Sequence, residues 1–134
     1  MGLIYLDSCV LIYLVENHPM WSLQIQNKMA QEAADSFAIS PLVKLECLVK
    51  PLQTGDLVLQ KRYELVFIEL SLLQLGDDVF LQAAQLRARF GLKTPDALHL
   101  ACAQANECRS LWTNDDRLLQ ASHGLACSIS TPPI

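Results

Sequence analysis

Short apolar runs recur along this chain between segments of helical length: LIYL at 3–6, FAI at 37–39, SLLQL at 71–75, SLWT at 110–113 and CSI at 127–129. Strands that alternate with helical patterns mark βαβ units around a parallel sheet, so the pattern constrains the chain to an α/β fold. Strands are expected near Leu3–Leu6, Phe37–Ile39, Ser71–Leu75, Ser110–Thr113 and Cys127–Ile129. Between them, helices are expected over Ser8–Val15, Met20–Ala34, Pro41–Val49, Asp56–Leu70, Asp77–Phe90, Pro95–Glu107 and Asn114–Ala121. Thr94 can cap a helix whose first residue is Pro95, and Asp77 can cap the segment after Gly76. Pro51 and Gly91 are expected to end the helices before them, and the tail TPPI to be a loose end.

A length of 134 residues suits one domain, 1–134, with no repeat, low-complexity tract or linker to divide it. Hydrophobic residues make up 51% and charged residues 18%, so an apolar surface should be concealed, most simply in a homodimer or beneath a partner. Five cysteines, an odd number without a C-x-x-C pair, read as buried thiols in a reducing compartment. His18, His99 and His123 show no metal spacing with them or with each other, which argues against zinc. No basic leader opens the chain and no apolar stretch approaches the ~20 residues of a membrane span, so a cytoplasmic protein is expected.

Four carboxylates stand where charge is costly: Asp7 in LIYLDSCVLIYL, Glu46 in SPLVKLECLV, Asp96 in KTPDALHLACA and Asp115 in SLWTNDD. Asp7 and Asp115 each follow a strand, and the carboxyl edge of an open parallel sheet is where ligands bind. Each also has a plain reading as the N-cap of the next helix. Glu46 lies about 40° from Leu42 and about 60° from Val49 on a helical wheel, within the buried stripe of its own helix, although Lys50 at i+4 offers it an ordinary ion pair. Asp96 opens a nearly all-apolar helix, where an anion gains from the dipole and also faces burial.

A pocket of three or four carboxylates without histidine or thiolate is a hard-oxygen site that suits Mg²⁺ or Mn²⁺. The chemistry such a site serves is phosphoryl transfer or phosphodiester hydrolysis by an activated water. The net charge of −4 argues against nucleic-acid binding by bulk electrostatics alone, but a bound ion inverts that balance locally.

LDSCVLIYL, the Ser40–Glu46 stretch, TPDALHLA and WTNDDRL together resemble the four motif blocks of PIN-domain ribonucleases, above all the toxins of VapBC-type toxin–antitoxin pairs. The resemblance implies a three-layer α/β/α fold with a five-stranded parallel sheet, Mg²⁺- or Mn²⁺-dependent endoribonuclease activity and a cognate antitoxin. It assigns Asp7, Glu46, Asp96 and Asp115 to the acidic centre. It places Ser8, Thr113 and Asn114 beside them, where they orient carboxylates or water. Asp116 is either a further ligand or a helix-start residue.

Other candidates read more plainly. Trp21 and Trp112 are expected in the core or an interface, and His99 as a packed imidazole rather than a ligand. Lys44, Lys50, Arg87, Arg89, Lys93 and Arg117 are candidates for an RNA track. Two further function classes compete: a phosphatase, which lacks its usual D-x-D pair because Ser8 and Cys9 follow Asp7, and a non-cutting PIN-like scaffold, which would not need all four acids.

Overall fold

A computed structural model describes residues 2–32 and 35–129. Among these residues five strands form one parallel sheet in the order β3-β2-β1-β4-β5. The strands are β1 Leu3–Leu6, β2 Ser36–Ile39, β3 Ser71–Leu72, β4 Ser110–Thr113 and β5 Ala126–Ser128. The helices are α1 Ser8–Val15, α2 Ser22–Gln31, α3 Pro41–Thr54, α4 Leu57–Ile68, α5 Asp77–Phe90, α6 Thr94–Ala105 and α7 Asp116–Ala121. β1 and β4 run apolar because helices cover both faces of the sheet; Ile4, Tyr5, Leu6, Leu111 and Trp112 are all buried.

Parallel crossovers are right-handed, so the connections β1→β2→β3 and β3→β4→β5, which travel in opposite directions, must lie on opposite faces. The packing agrees: α1 to α4 contact one another, while α5 packs on α6, giving a three-layer α/β/α fold. The order of the strands reverses direction at β1 and β4. Their carboxyl ends therefore frame the crevice where open sheets bind ligands.

Several boundaries differ from expectation, each for a local reason. β3 stops at Leu72 rather than Leu75, because its partner among the described residues, β2, ends at Ile39, paired with Leu72. One last ladder bond, from the Leu73 N–H to the Ile39 carbonyl at 2.8 Å, closes the edge. Pro51 does not end α3. It is buried inside a helix that continues to Gly55, whose left-handed φ of 67° and N–H bond to the Pro51 carbonyl make the true stop.

Lys93, not Thr94, is the N-cap of α6, which puts Pro95 one place further in. Gly76, not Asp77, caps α5, whose first turn holds Asp77 and Asp78 instead. Gly91 ends α5 as expected, with φ 69° and an N–H bond to Arg87. α2 begins at Ser22 because the His18 ring nitrogen accepts the Met20 and Trp21 N–H groups and holds a separate turn. The expected end of that helix at Ala34 and the loose tail TPPI lie outside the described residues. No helix among the described residues is long and apolar enough to cross a membrane.

Candidate metal centre

The centre begins at the end of β1. The Asp7 N–H bonds the Trp112 carbonyl at 3.0 Å, extending the β1–β4 ladder by one residue, and the chain then turns into α1. Asp7 is the N-cap of α1: Oδ1 accepts the Ser8 N–H at 2.7 Å. Its other oxygen accepts the Thr113 hydroxyl at 2.7 Å, and that same hydroxyl oxygen accepts the Asp115 N–H at 3.0 Å. Thr113, buried at the end of β4, thus ties the acids that follow the two central strands to one point. Asp115 is the N-cap of α7, accepting from the Arg117 and Leu118 N–H groups. For Asp7 and Asp115 the capping reading and the site reading hold together, since each carboxylate keeps a face toward the crevice.

Glu46 enters from α3. Its side chain is 29% exposed and does not pair with Lys50, which binds Glu16 instead at 2.8 Å. Glu46 Oε1 accepts the Ser8 hydroxyl and lies 2.6 Å from His99 Nε2. Burial alone would raise the Glu46 pKa, but the hydrogen bonds from His99 and Ser8 outweigh it and hold the carboxyl below its ordinary value. Asp96, in the first turn of α6, has the opposite balance. Burial comes first, and the charges of Asp115 and Asp7 add to it, so its pKa is raised. Among the described residues no donor compensates Asp96.

Asp7, Ser8, Cys9, Ile12, Tyr13, Glu46, Asp96, Asn114 and Asp115 line one open cleft of about 380 Å³. The structure therefore brings together the four carboxylates that sequence reasoning singled out, with Ser8 and Asn114 on the wall and Thr113 beneath. Asp116 is absent from this lining. It is exposed in the first turn of α7 and shares an adjoining hollow with Lys93, Asp96, Asn114, Asp115 and Arg117.

Of the six basic residues considered for an RNA track, Lys93 and Arg117 stand at this rim. Lys44 lies over the Phe67 ring, Lys50 is tied to Glu16, and Arg87 and Arg89 sit in the last turn of α5. Trp112 is buried and Trp21 partly so, as expected for core residues.

One participant was underestimated from the sequence. His99, 1% exposed, is more than a packed imidazole: it contacts Glu46 and lies 3.6 Å from Asp7. One ligand atom each of Asp7, Glu46 and His99 lies within 4.8 Å of the others. A signal existed in the spacing, since His99 is three residues beyond Asp96 and shares its helix face. Beneath His99, Tyr5 and Ser40 continue the contact into the core.

The four carboxylates present oxygens to the cleft, and His99 Nε2 lies beside those of Asp7 and Glu46. Cys9, the nearest thiol, is pushed up to about 12 by burial and then by the Asp7 charge, so it remains a protonated S–H. All five cysteines are free; Cys47, Cys102 and Cys108 are buried, and Cys9 and Cys127 are partly so. The acid set fits a hard divalent cation, which would relieve the repulsion on Asp96.

A family model described as PIN domain matches residues 4–124. Comparison with curated protein sequences finds no match. Among solved structures, the chain resembles VapBC2 from Rickettsia felis bound to a promoter DNA fragment, with a TM-score of 0.81, 16% identity, and coverage of 94% of this chain and 98% of that one. It also resembles a toxin–antitoxin complex from Klebsiella pneumoniae, with a TM-score of 0.75, 23% identity, and coverage of 94% and 97%. A third is VapC20 from Mycobacterium tuberculosis, a sarcin-ricin loop cleaving toxin, with a TM-score of 0.72, 13% identity, and coverage of 88% and 94%.

Proposed function

The chain belongs to the PIN domain family, and we propose that it is a metal-dependent endoribonuclease, the toxin of a type II toxin–antitoxin pair. One observation carries the reading: carboxylates from four separate segments converge on one cleft at the carboxyl ends of β1 and β4. Helix capping accounts for two of them; Glu46 caps no helix, and Asp96, in the first turn of α6, is half-buried with its pKa raised. Asp7, Glu46, Asp96 and Asp115 are the residues that would hold Mg²⁺ or Mn²⁺. A divalent ion there supplies a hydrolytic water at neutral pH and positive charge against the phosphate.

The chain's own groups do the positioning. Ser8 links Glu46 to Asp7, and Thr113 fixes the second Asp7 oxygen together with the Asp115 backbone. Asn114 faces the same cleft, where its amide can orient water or a phosphate oxygen. Lys93 and Arg117 flank Asp96 and Asp115, where they can receive RNA phosphates on either side of the scissile bond. Asp116 serves as a helix-start anion at that rim.

The partners follow from the surface. Leu45, Val49 and Leu52 form an exposed stripe on α3, and Leu57, Val58, Leu65 and Ile68 are exposed on the neighbouring α4. A monomer would leave this apolar area in water, so the proposal includes a homodimer and, in the cytoplasm, a cognate antitoxin segment. The solved toxin–antitoxin complexes of the same fold support a partner of that kind. Purified chain incubated with structured RNA tests the activity: cutting should stop with EDTA and return with Mn²⁺ or Mg²⁺, and EDTA-resistant cutting would defeat the proposal.

A further inference from the structure

A buried polar chain runs from the core to the acidic centre. Ser40 Oγ lies 2.8 Å from the Tyr5 hydroxyl, which lies 2.7 Å from His99 Nδ1, while His99 Nε2 lies 2.6 Å from Glu46 Oε1. Ser40, Tyr5 and His99 are at most 1% exposed. Ser40 is the N-cap of α3, yet its side chain makes no capping bond. A serine there ordinarily accepts a helix N–H, and giving up such a cap weakens the helix start. Its hydroxyl is turned to Tyr5 instead, so the fold forgoes a local bond to complete this chain.

We propose that His99 is a positioning residue for Glu46, locked as the Nε2–H tautomer by the Tyr5 hydroxyl, which Ser40 in turn orients. The direction of the bonds follows from chemistry. An ionised Glu46 only accepts, so Nε2 carries the hydrogen. A neutral imidazole has one N–H, so Nδ1 is bare and accepts the Tyr5 O–H; the phenol oxygen then accepts from Ser40. Glu46 is held by two donors, Ser8 and His99, and its rotamer is set from the core.

The inference rests on the proposed acidic centre, and it also decides how His99 relates to the ion. A His99 that ligated the metal itself would need a bare Nε2 and would place its proton on Nδ1. Partners one step behind the ligands typically change metal affinity by about 10–100-fold when removed.

Two measurements test the chain. Long-range ¹H–¹⁵N spectra of the Mg²⁺-loaded protein show which ring nitrogen of His99 is protonated. A proton on Nε2 alone is expected, and a proton on Nδ1 would overturn the proposal. Calorimetric titration with Mn²⁺ on folded variants supplies the second readout. Tyr5→Phe keeps the ring and should weaken Mn²⁺ binding about tenfold, as should His99→Leu, whereas His99→Gln retains a donor toward Glu46 and should retain most of the affinity. Adding Tyr5→Phe to His99→Gln should then change affinity little, since the hydroxyl acts through the imidazole. Lowered melting temperatures with unchanged Mn²⁺ affinity would make these residues structural and overturn the inference. Failure of the wild type to bind Mn²⁺ would instead overturn the acidic centre beneath it.

Discussion

Replacing Asp96 with Asn separates a metal ligand from a helix-start anion, because the two roles predict opposite signs. Asp96 is half-buried, has no hydrogen-bond donor among the described residues, and is raised in pKa by burial and then by Asp115 and Asp7. In the metal-free protein it is a repelled anion, so Asp96→Asn should leave the apo form as stable as wild type or more so. Its raised folded pKa means that the cost is absent below its ordinary value of 3.8 and sets in as pH rises through the folded value. The advantage of the variant should therefore vanish in acid and grow toward neutrality.

Metal reverses the ranking. A ligand of the folded state contributes RT ln(1 + [L]/Kd), about 1.4 kcal/mol at ten times Kd. For 134 residues the unfolding entropy is roughly 0.28 kcal/mol/K, so the wild-type melting temperature should rise by roughly 5 °C. Asp96→Asn should lose most of that rise. As a mere helix-start anion, Asp96 would be worth ~0.5 kcal/mol, so the variant would melt roughly 2 °C lower and keep the full response to Mn²⁺. Thermal melts of both proteins in EDTA and in Mn²⁺ decide it, and the second pattern would remove Asp96 from the centre.

Three further outcomes are expected. Thr113→Val removes the donor to Asp7 and strands the Asp115 N–H, so it should cost about 1–3 kcal/mol in denaturant unfolding and weaken Mn²⁺ binding; an unchanged midpoint and affinity would contradict this. Gly91→Ala places a side chain at φ 69° and should cost about 1 kcal/mol without altering Mn²⁺ affinity, measured by the same unfolding and by calorimetry. Light scattering at tens of micromolar, roughly where a modest interface assembles, should show a dimer, and a monodisperse monomer would contradict the reading of the apolar surface.

The parts of the fold legible in the sequence are those fixed by burial. LIYL and SLWT announce strands because both faces are covered, and Asp7 and Asp115 stand out because a charge follows each run. Glu46 stands out by its wheel position beside Leu42 and Val49, but the stripe is misplaced. α3 buries Val43, Cys47 and Pro51, while Val49 is exposed, because the neighbouring elements cover a face that the apolar pattern of this helix does not single out. Features fixed by partners distant in sequence stayed hidden. The length of β3 is set by where β2 ends, which its own leucines do not record. Pro51 breaks a helix by local rules, yet α3 runs through it to a left-handed glycine. Tyr5 and His99, inside apolar runs, read as core side chains, and only folding brings positions 94 residues apart within 2.7 Å.

Analysis of the RNA termini tests the central claim most directly. If the four carboxylates serve water attack on the phosphodiester, the fragments should carry 5′-phosphate and 3′-hydroxyl ends, formed only with Mn²⁺ or Mg²⁺ present and not by Asp96→Asn. Fragments ending in a 2′,3′-cyclic phosphate would show that the ribose hydroxyl attacks instead, and would contradict the account.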